Sequence, residues 1–253
     1  MLAVTLLAAV LVGVSLGALG GGGSMLTVPL LVYGAGRSPS DAIAMSLVIV
    51  SITSAVATVS HARAGRVHWH TAAVFGTGGM AGAYGGGRLA SLISGSLLLL
   101  AFAVLMMVTA VAMIRGGPAD AVLPPSLGPM TPRLSRITLH GLGVGIITGL
   151  LGAGGGFLIV PALTLLAGLP MAAAVGTSLA VIAMNSAVGL AGHLATADLD
   201  WPLTLAFAAA AVAGTLAGRR LTGLVPDHTL RRIFGWFVVL MGVVVLAEQL
   251  HRR

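Results

Sequence analysis

GALGGGGSMLTVP, Gly17–Pro29, places four consecutive glycines, Gly20, Gly21, Gly22 and Gly23, inside an otherwise apolar stretch. The stretch GLLGAGGGFLIVP, Gly149–Pro161, reads almost the same 132 residues on. Aligned at that offset without gaps, residues 13–69 and 145–201 share 20 identities in 57 positions. With so few residue types in use, chance would give roughly one match in ten. The identities include Gly20/Gly152, Gly22/Gly154, Gly23/Gly155, Pro29/Pro161, Ser46/Ser178, Ser54/Ser186, His61/His193 and Trp69/Trp201. The chain therefore reads as repeat 1 (1–116), a Pro/Gly-rich linker (117–132) and repeat 2 (133–253).

Composition sets the environment. Of 253 residues, 57% are hydrophobic and 8% charged, with a mean hydropathy of +1.07. Soluble domains carry about 25% charged residues, so this is an all-α polytopic membrane protein whose solvent is the lipid bilayer. The net charge of +7 comes from arginine alone, there being no lysine. The arginines lie in short gaps between apolar runs, a topology signal rather than a nucleic-acid surface. There is no cysteine, which excludes disulfides and thiolate chemistry. The opening MLAVTLLAAVLVGVSLGALG has no basic region ahead of its apolar run. It also aligns with residues 133–152, so it is read as part of the fold.

Each repeat divides into one glycine-interrupted segment (about 2–35 and 136–168) and three plain ones, about eight in all. The plain segments are about 41–61, 70–92 and 96–115, then 172–194, 201–221 and 229–250. Each has about 20 residues, enough to cross ~30 Å of hydrocarbon at 1.5 Å per residue. If every segment crosses once, the repeats are parallel and the arginines split seven to six. If the glycine-bearing segments are re-entrant, the repeats are inverted and the split is nine to four. The nine are Arg63, Arg66, Arg115, Arg133, Arg136, Arg219, Arg220, Arg231 and Arg232. The positive-inside rule favours the inverted arrangement, with this side cytoplasmic and the chain multi-pass in the cell (inner) membrane.

Glycines at membrane depth break a helix, which is tolerated only where the freed backbone faces protein or a wet cavity. Glycine also lets successive N–H groups converge on an anion. A short helix is predicted after each break, from Met25 to about Ala35 and from Phe157 to about Ala167. Its N-terminus would favour an anion by about 0.3–1 kcal/mol, or up to ~2 when partly buried. Paired broken helices in a duplicated membrane protein point to a midplane substrate site. The expected anion-binding positions are Gly20, Gly21, Gly22, Gly23 and Ser24 with Gly152, Gly154, Gly155 and Gly156. Tight helix packing is the competing use of such glycines.

Polar residues flank these breaks. Ser46, Ser51, Thr53 and Ser54 lie on the second segment; Thr177, Ser178, Asn185 and Ser186 lie on its counterpart. Spacings of seven and eight put Ser46 with Thr53 and Ser54, and Ser178 with Asn185 and Ser186, on one helix face. Such a face either lines a site for an oxyanion or glues helices together. Ser46, Thr53, Ser178 and Asn185 are taken as substrate-binding. His61 and His193 sit near segment ends, where an interfacial anchor is the simpler role and a coupled proton the functional one. Trp69 and Trp201 read as interface aromatics, and Arg37 as a loop arginine able to attract anions. His68 and His70 lack a third ligand for a metal.

Together, GALGGGGSMLTVPLLVYGAG, the serine-bearing segment after it and GLLGAGGGFLIVPALTLLAG resemble the sulfite exporter TauE/SafE family of membrane permeases. The resemblance covers nearly the whole chain. It implies secondary transport of a small sulfur-containing anion such as sulfite or an organosulfonate, without ATP hydrolysis, metal or cofactor. By motif it points to Gly20–Ser24 and Gly152–Gly156. Repeat 2 departs with Ala153 for Gly21 and Gly156 for Ser24, which makes the site asymmetric. A passive anion channel would use the same site. An enzyme is disfavoured: Ser24 is followed by Met25 rather than the glycine of a Gly-x-Ser-Gly motif, and Glu248 is the only glutamate for a His-Glu-x-x-His motif.

Overall fold

A computed structural model describes residues 2–19, 24–90, 92–94, 130–151, 156–165, 168–193 and 197–222, with scattered positions in 97–111 and 229–243. Among them all regular structure is helical: α1 (Leu2–Leu19), α2 (Ser24–Pro29), α3 (Pro39–Arg63), α4 (Trp69–Ala90), α5 (Met130–Leu151), α6 (Gly156–Leu165), α7 (Met171–His193) and α8 (Trp201–Thr222). Three stretches are long and apolar enough to cross a membrane: α3, α7 and Trp201–Gly218 of α8. The glycine stretches 20–23 and 152–155, and most of the segments expected at 96–115 and 229–250, lie outside the described residues.

Local chemistry explains the boundaries. Ser38 caps α3, its Oγ accepting the Asp41 N–H at 3.2 Å, and Pro39 fills the first helical position, where no N–H is needed. The helix expected from Met25 to about Ala35 is not one regular helix. It is α-helical to Pro29 and then widens into a π-helical turn, Leu30–Gly34. Pro29 has no N–H to give to the preceding turn. The turn is closed by the Ala35 N–H on the Leu30 carbonyl, 3.2 Å. Both short helical stretches end alike. Gly36 and Gly168 each have φ near +67°, and the next N–H reaches back six residues, Arg37 to Leu31 and Leu169 to Leu163, both 3.1 Å. The bond is one residue wider than that of a Schellman stop, and like it uses a left-handed residue that glycine supplies. α5 begins at Met130. Pro132 lies in its first turn, where its missing N–H costs nothing.

Two glycine seams hold the helices together. Along α1 and α8, a Cβ on Gly13 or Gly17 would overlap the backbone of Ala211 or Thr215, and one on Gly214 or Gly218 that of Val10 or Val14. Along α5 and α4 the same holds for Gly145 and Gly149 on Gly79 and Ala83, and for Gly82 and Gly86 on Leu142 and Ile146. Every one of these contacts recurs at the offset of 132. Numbers rise together across each seam, so α1 runs parallel to α8 and α5 parallel to α4. Across α3 and α7 they oppose: Ser51 donates to the Ala183 carbonyl at 3.3 Å, while Leu47 packs on Gly189. These two helices are antiparallel, and Ser51 meets its own counterpart.

The ends of the helices define two faces. On the Arg37 face, Arg37 pairs with Asp200 and Asp41 accepts the Asp198 N–H at 2.9 Å. On the Arg63 face, Arg66 packs against Gly176 and the His68 N–H donates to Thr177 Oγ1 at 3.0 Å. The register of α1 on α8 puts Leu2 near the level of Asp200, where Arg37 also lies. Leu2 and Arg37 thus lie at one face. The register of α5 on α4, with Gly176 beside Arg66, puts the starts of α5 and α7 together at the Arg63 face. Leu7, Leu11, Val59, Leu205 and Leu216 stay exposed as an apolar outer surface, as lipid-facing positions require.

Candidate functional site

The site is built on the inner faces of α3 and α7. Spacings of three, four and seven put Ser46, Val50, Thr53, Ser54, Ala57 and His61 on one face of α3, and all are buried. The matching face of α7 carries Ser178, Ile182, Asn185, Ser186, Gly189 and His193, also buried. Neither helix is strongly amphipathic, and each is apolar on both its inner and its outer side.

The polar groups on these faces divide by what they bond. Ser46 donates to the Ile43 carbonyl at 2.9 Å, and its counterpart Ser178 to the Val175 carbonyl at 2.8 Å. Thr53 donates to the Ile49 carbonyl at 2.7 Å. Those three hydroxyl protons are spent on their own helices. Ser51 and Thr177 serve packing, one across α3 and α7 and the other on the loop before α4.

Asn185 is different. Its side chain is 1% exposed, and neither amide atom has a hydrogen-bond partner among the described residues. A Cβ on Gly79 of α4 would lie 2.7 Å from Asn185 Oδ1, so this glycine makes the room the amide occupies. Ser54 and Ser186, a pair related by the repeat, are fully buried and unpartnered in the same way, as is Thr27 on α2. Leaving such groups unpaired away from water costs about 1–3 kcal/mol each. Buried, unpaired donors of this kind call for a ligand or water. Ser24, the first residue of α2, is also fully buried. Gly156 opens α6, while Gly20–Gly23, Gly152, Gly154 and Gly155 lie outside the described residues.

Both histidines are buried against protein at the ends of α3 and α7. His61 and His193 are only 3% and 4% exposed. One ring nitrogen of His193, Nε2, lies 2.9 Å from the Gly149 carbonyl in the last turn of α5. That turn leads directly into the second glycine stretch. Trp69 and Trp201 do stand exposed at the starts of α4 and α8. Arg37 is held by Asp200 rather than left open to anions. Among the described residues no three His, Asp or Glu side chains converge as metal ligands. The donors at the site are thus neutral amide and hydroxyl groups, suited to hydrogen-bonding an oxyanion. Sequence reading passed over Thr27 and Gly79. A threonine just after the glycine run was the available signal for the first; nothing local marked the second.

Membrane-length helices locked by glycine seams around buried neutral donors define a polytopic helical membrane protein of the transporter class. A family model described as Sulfite exporter TauE/SafE matches residues 5–245, and the chain belongs to that family of membrane transporters. A probable membrane transporter protein of Xylella fastidiosa is 35% identical over 245 residues, 93% of this chain and 91% of the relative. One from Methanocaldococcus jannaschii is 25% identical over 257 residues, 94% of each chain. Another from Bacillus subtilis is 28% identical over 253 residues, 91% of this chain and 92% of the relative. No solved structure matches the chain significantly. The chain is accordingly a membrane transporter rather than an enzyme, and a multi-pass membrane protein.

Proposed function

We propose that the protein is a secondary transporter of a small sulfur-containing anion, such as sulfite or an organosulfonate. The anion is bound near the midplane between the glycine stretches 20–24 and 152–156, with Asn185, Ser54, Ser186 and Thr27 as neutral donors around it. The observation that carries this reading is the set of buried, unpaired donors on α3, α7 and α2, the last of which follows directly on the first glycine stretch. Eight segments in two inverted repeats complete it. The antiparallel run of α3 against α7, with Ser51 meeting Ala183, supports the inversion. The Arg63 face is cytoplasmic by its arginines, in the inner membrane. Buried His61 and His193 are the groups available to carry a coupled proton, since no carboxylate is buried among the described residues.

The test is sulfite uptake into proteoliposomes with and without an imposed pH gradient, with sulfate and chloride as competitors. Saturable uptake accelerated by the gradient is expected. Gradient-independent, non-saturating flux would make the protein a channel. No sulfite flux from folded protein would reassign the substrate.

A further inference from the structure

We propose that α3, α4 and α7 form a binding site for an anionic phospholipid, with one acyl chain in a lateral groove and the headgroup at the Arg63 face. The groove encloses about 310 Å³ and is lined by Ala55, Thr58, Trp69, Ala73, Ala180 and Ala183 among others. Its lining is almost wholly apolar. Ala55, Trp69 and Ala73 are exposed on the outer surface of the bundle, so the groove opens sideways to the hydrocarbon.

Three observations select an anionic lipid rather than lipid in general. First, the side chains that make room for this groove are not repeated on the other side. The repeat puts Leu190, Leu205 and Val48 where the groove has Thr58, Ala73 and Ala180. The equivalent positions thus carry larger side chains. Second, the groove has a basic end. Gly176, Ala180 and Ala183 share a face of α7 by their spacing of four and seven. The Cβ and carbonyl of Arg66 sit on Gly176, which closes the groove one turn beyond Ala180. Arg66 is half-buried, Arg63 is exposed nearby, and no hydrogen bond or ion pair is recorded for either side chain among the described residues. Third, the acids among the described residues, Asp41, Asp198 and Asp200, are all on the opposite face. A basic pocket between membrane helices next to an apolar groove matches an anionic headgroup and its tail, and Trp69 stands at the rim where an indole prefers the interface.

The experiment uses Trp69 as its own reporter, in full-length protein carrying Trp201→Phe and Trp236→Phe. The protein is reconstituted into phosphatidylcholine vesicles containing a small fraction of lipid with brominated acyl chains. That lipid is either phosphatidylglycerol or phosphatidylcholine. Relative association constants come from quenching of Trp69. We expect phosphatidylglycerol to associate about fivefold more strongly, the factor expected of one arginine near an anionic headgroup. Arg66→Gln should bring the ratio close to one. Thr58→Leu/Ala73→Leu, which installs the residues of the second repeat, should weaken quenching by both lipids. Equal quenching by the two lipids in the parent protein overturns the proposal. So does a preference that survives Arg66→Gln undiminished, whether or not the groove-filled variant folds.

Discussion

The two repeats agree in their glycines and disagree in their polar side chains. Each contact of the α1/α8 seam recurs in the α4/α5 seam at the same offset, down to the backbone atom approached. At the inner face, Thr53 of the first repeat donates to its own helix, while its counterpart Asn185 leaves both amide atoms unpaired. The neighbouring helix follows suit. Asn185 faces Gly79, and the residue equivalent to that glycine is Ala211. The backbone frame is therefore symmetric and the chemistry inside it is not. Where the helices approach most closely the residues stay small in both copies, because in lipid it is packing of small residues that holds helices together. A donor facing a ligand is needed once and can diverge in the other copy.

The largest effect should come from breaking the symmetric part. Gly82→Leu and Gly214→Leu each drive a side chain into a helix backbone, at Leu142 and Val10. Backbone cannot swing aside as a side chain can. We expect each to cost at least ~3 kcal/mol and to abolish the monodisperse peak on size-exclusion chromatography in detergent. The two variants should fail alike. Normal behaviour of either one would show that the seams are equivalent in geometry but not in strength.

The asymmetric part should respond in activity instead of folding. Asn185→Ala removes two buried unpaired atoms, so its thermal stability should hold or rise. Donors to a charged ligand are worth about 1.5–3 kcal/mol, so sulfite flux should fall roughly tenfold or more. Thr53→Ala, whose hydroxyl is already spent, should lose less than about threefold on the same scale. Equal losses from both would erase the distinction between the copies. A drop in stability with Asn185→Ala would mean that the amide is holding the fold and not the substrate.

These contrasts also mark how much the sequence could tell. The offset of 132 exposed the duplication, but not which helices the glycines bring together; tight packing stood there only as the competing use of the glycine runs. The shared faces of α3 and α7 were legible from spacings of seven and eight. What each hydroxyl bonds was not. Ser46 and Ser54 look alike in sequence, yet one donates to Ile43 and the other has no partner among the described residues. That depends on rotamer and on the helix opposite. The burial of His61 and His193 was hidden for a related reason. Both lie at segment ends, and only tertiary packing, such as the end of α5 meeting His193, buries them against protein. Pro29 marked a disturbance in the short helical stretch, but the π-helical turn that absorbs it depends on backbone geometry beyond the proline.

A smaller effect is expected at the helix ends. Arg37 pairs with Asp200 on one face, whereas the counterparts on the other are Leu169 and His68. The pair joins the start of α3 to the start of α8, and its side chains are 38% and 27% exposed. Solvent screening at that exposure limits it to about 0–1 kcal/mol. A double-mutant cycle with Arg37→Ala and Asp200→Asn should return a coupling in that range that shrinks as salt is raised. Asp200 also accepts the Leu203 N–H at 3.1 Å, so its single variant should lose more than Arg37→Ala. A coupling unaffected by salt would place the pair in a drier setting than its exposure indicates.

The smallest effect tests the axis itself. Ser51 and Ala183 are counterparts at the offset of 132, and the hydroxyl of one donates to the carbonyl of the other at 3.3 Å. A contact between a residue and its own equivalent can occur only where the two copies meet on their symmetry axis. The bond is long and partly exposed, and hydrogen bonds between membrane helices average about 0.6 kcal/mol. Ser51→Ala should therefore lower the thermal midpoint only slightly and leave flux unchanged. The reciprocal change, Ala183→Ser, places a second hydroxyl beside the first across the same axis. Its carbonyl partner would be that of Ser51, so it should recover a similar increment in the Ser51→Ala background. Recovery would show that the two sides of the axis are interchangeable for packing even though they differ for substrate. Failure to recover would extend the asymmetry of Thr53 and Asn185 to the frame that carries them.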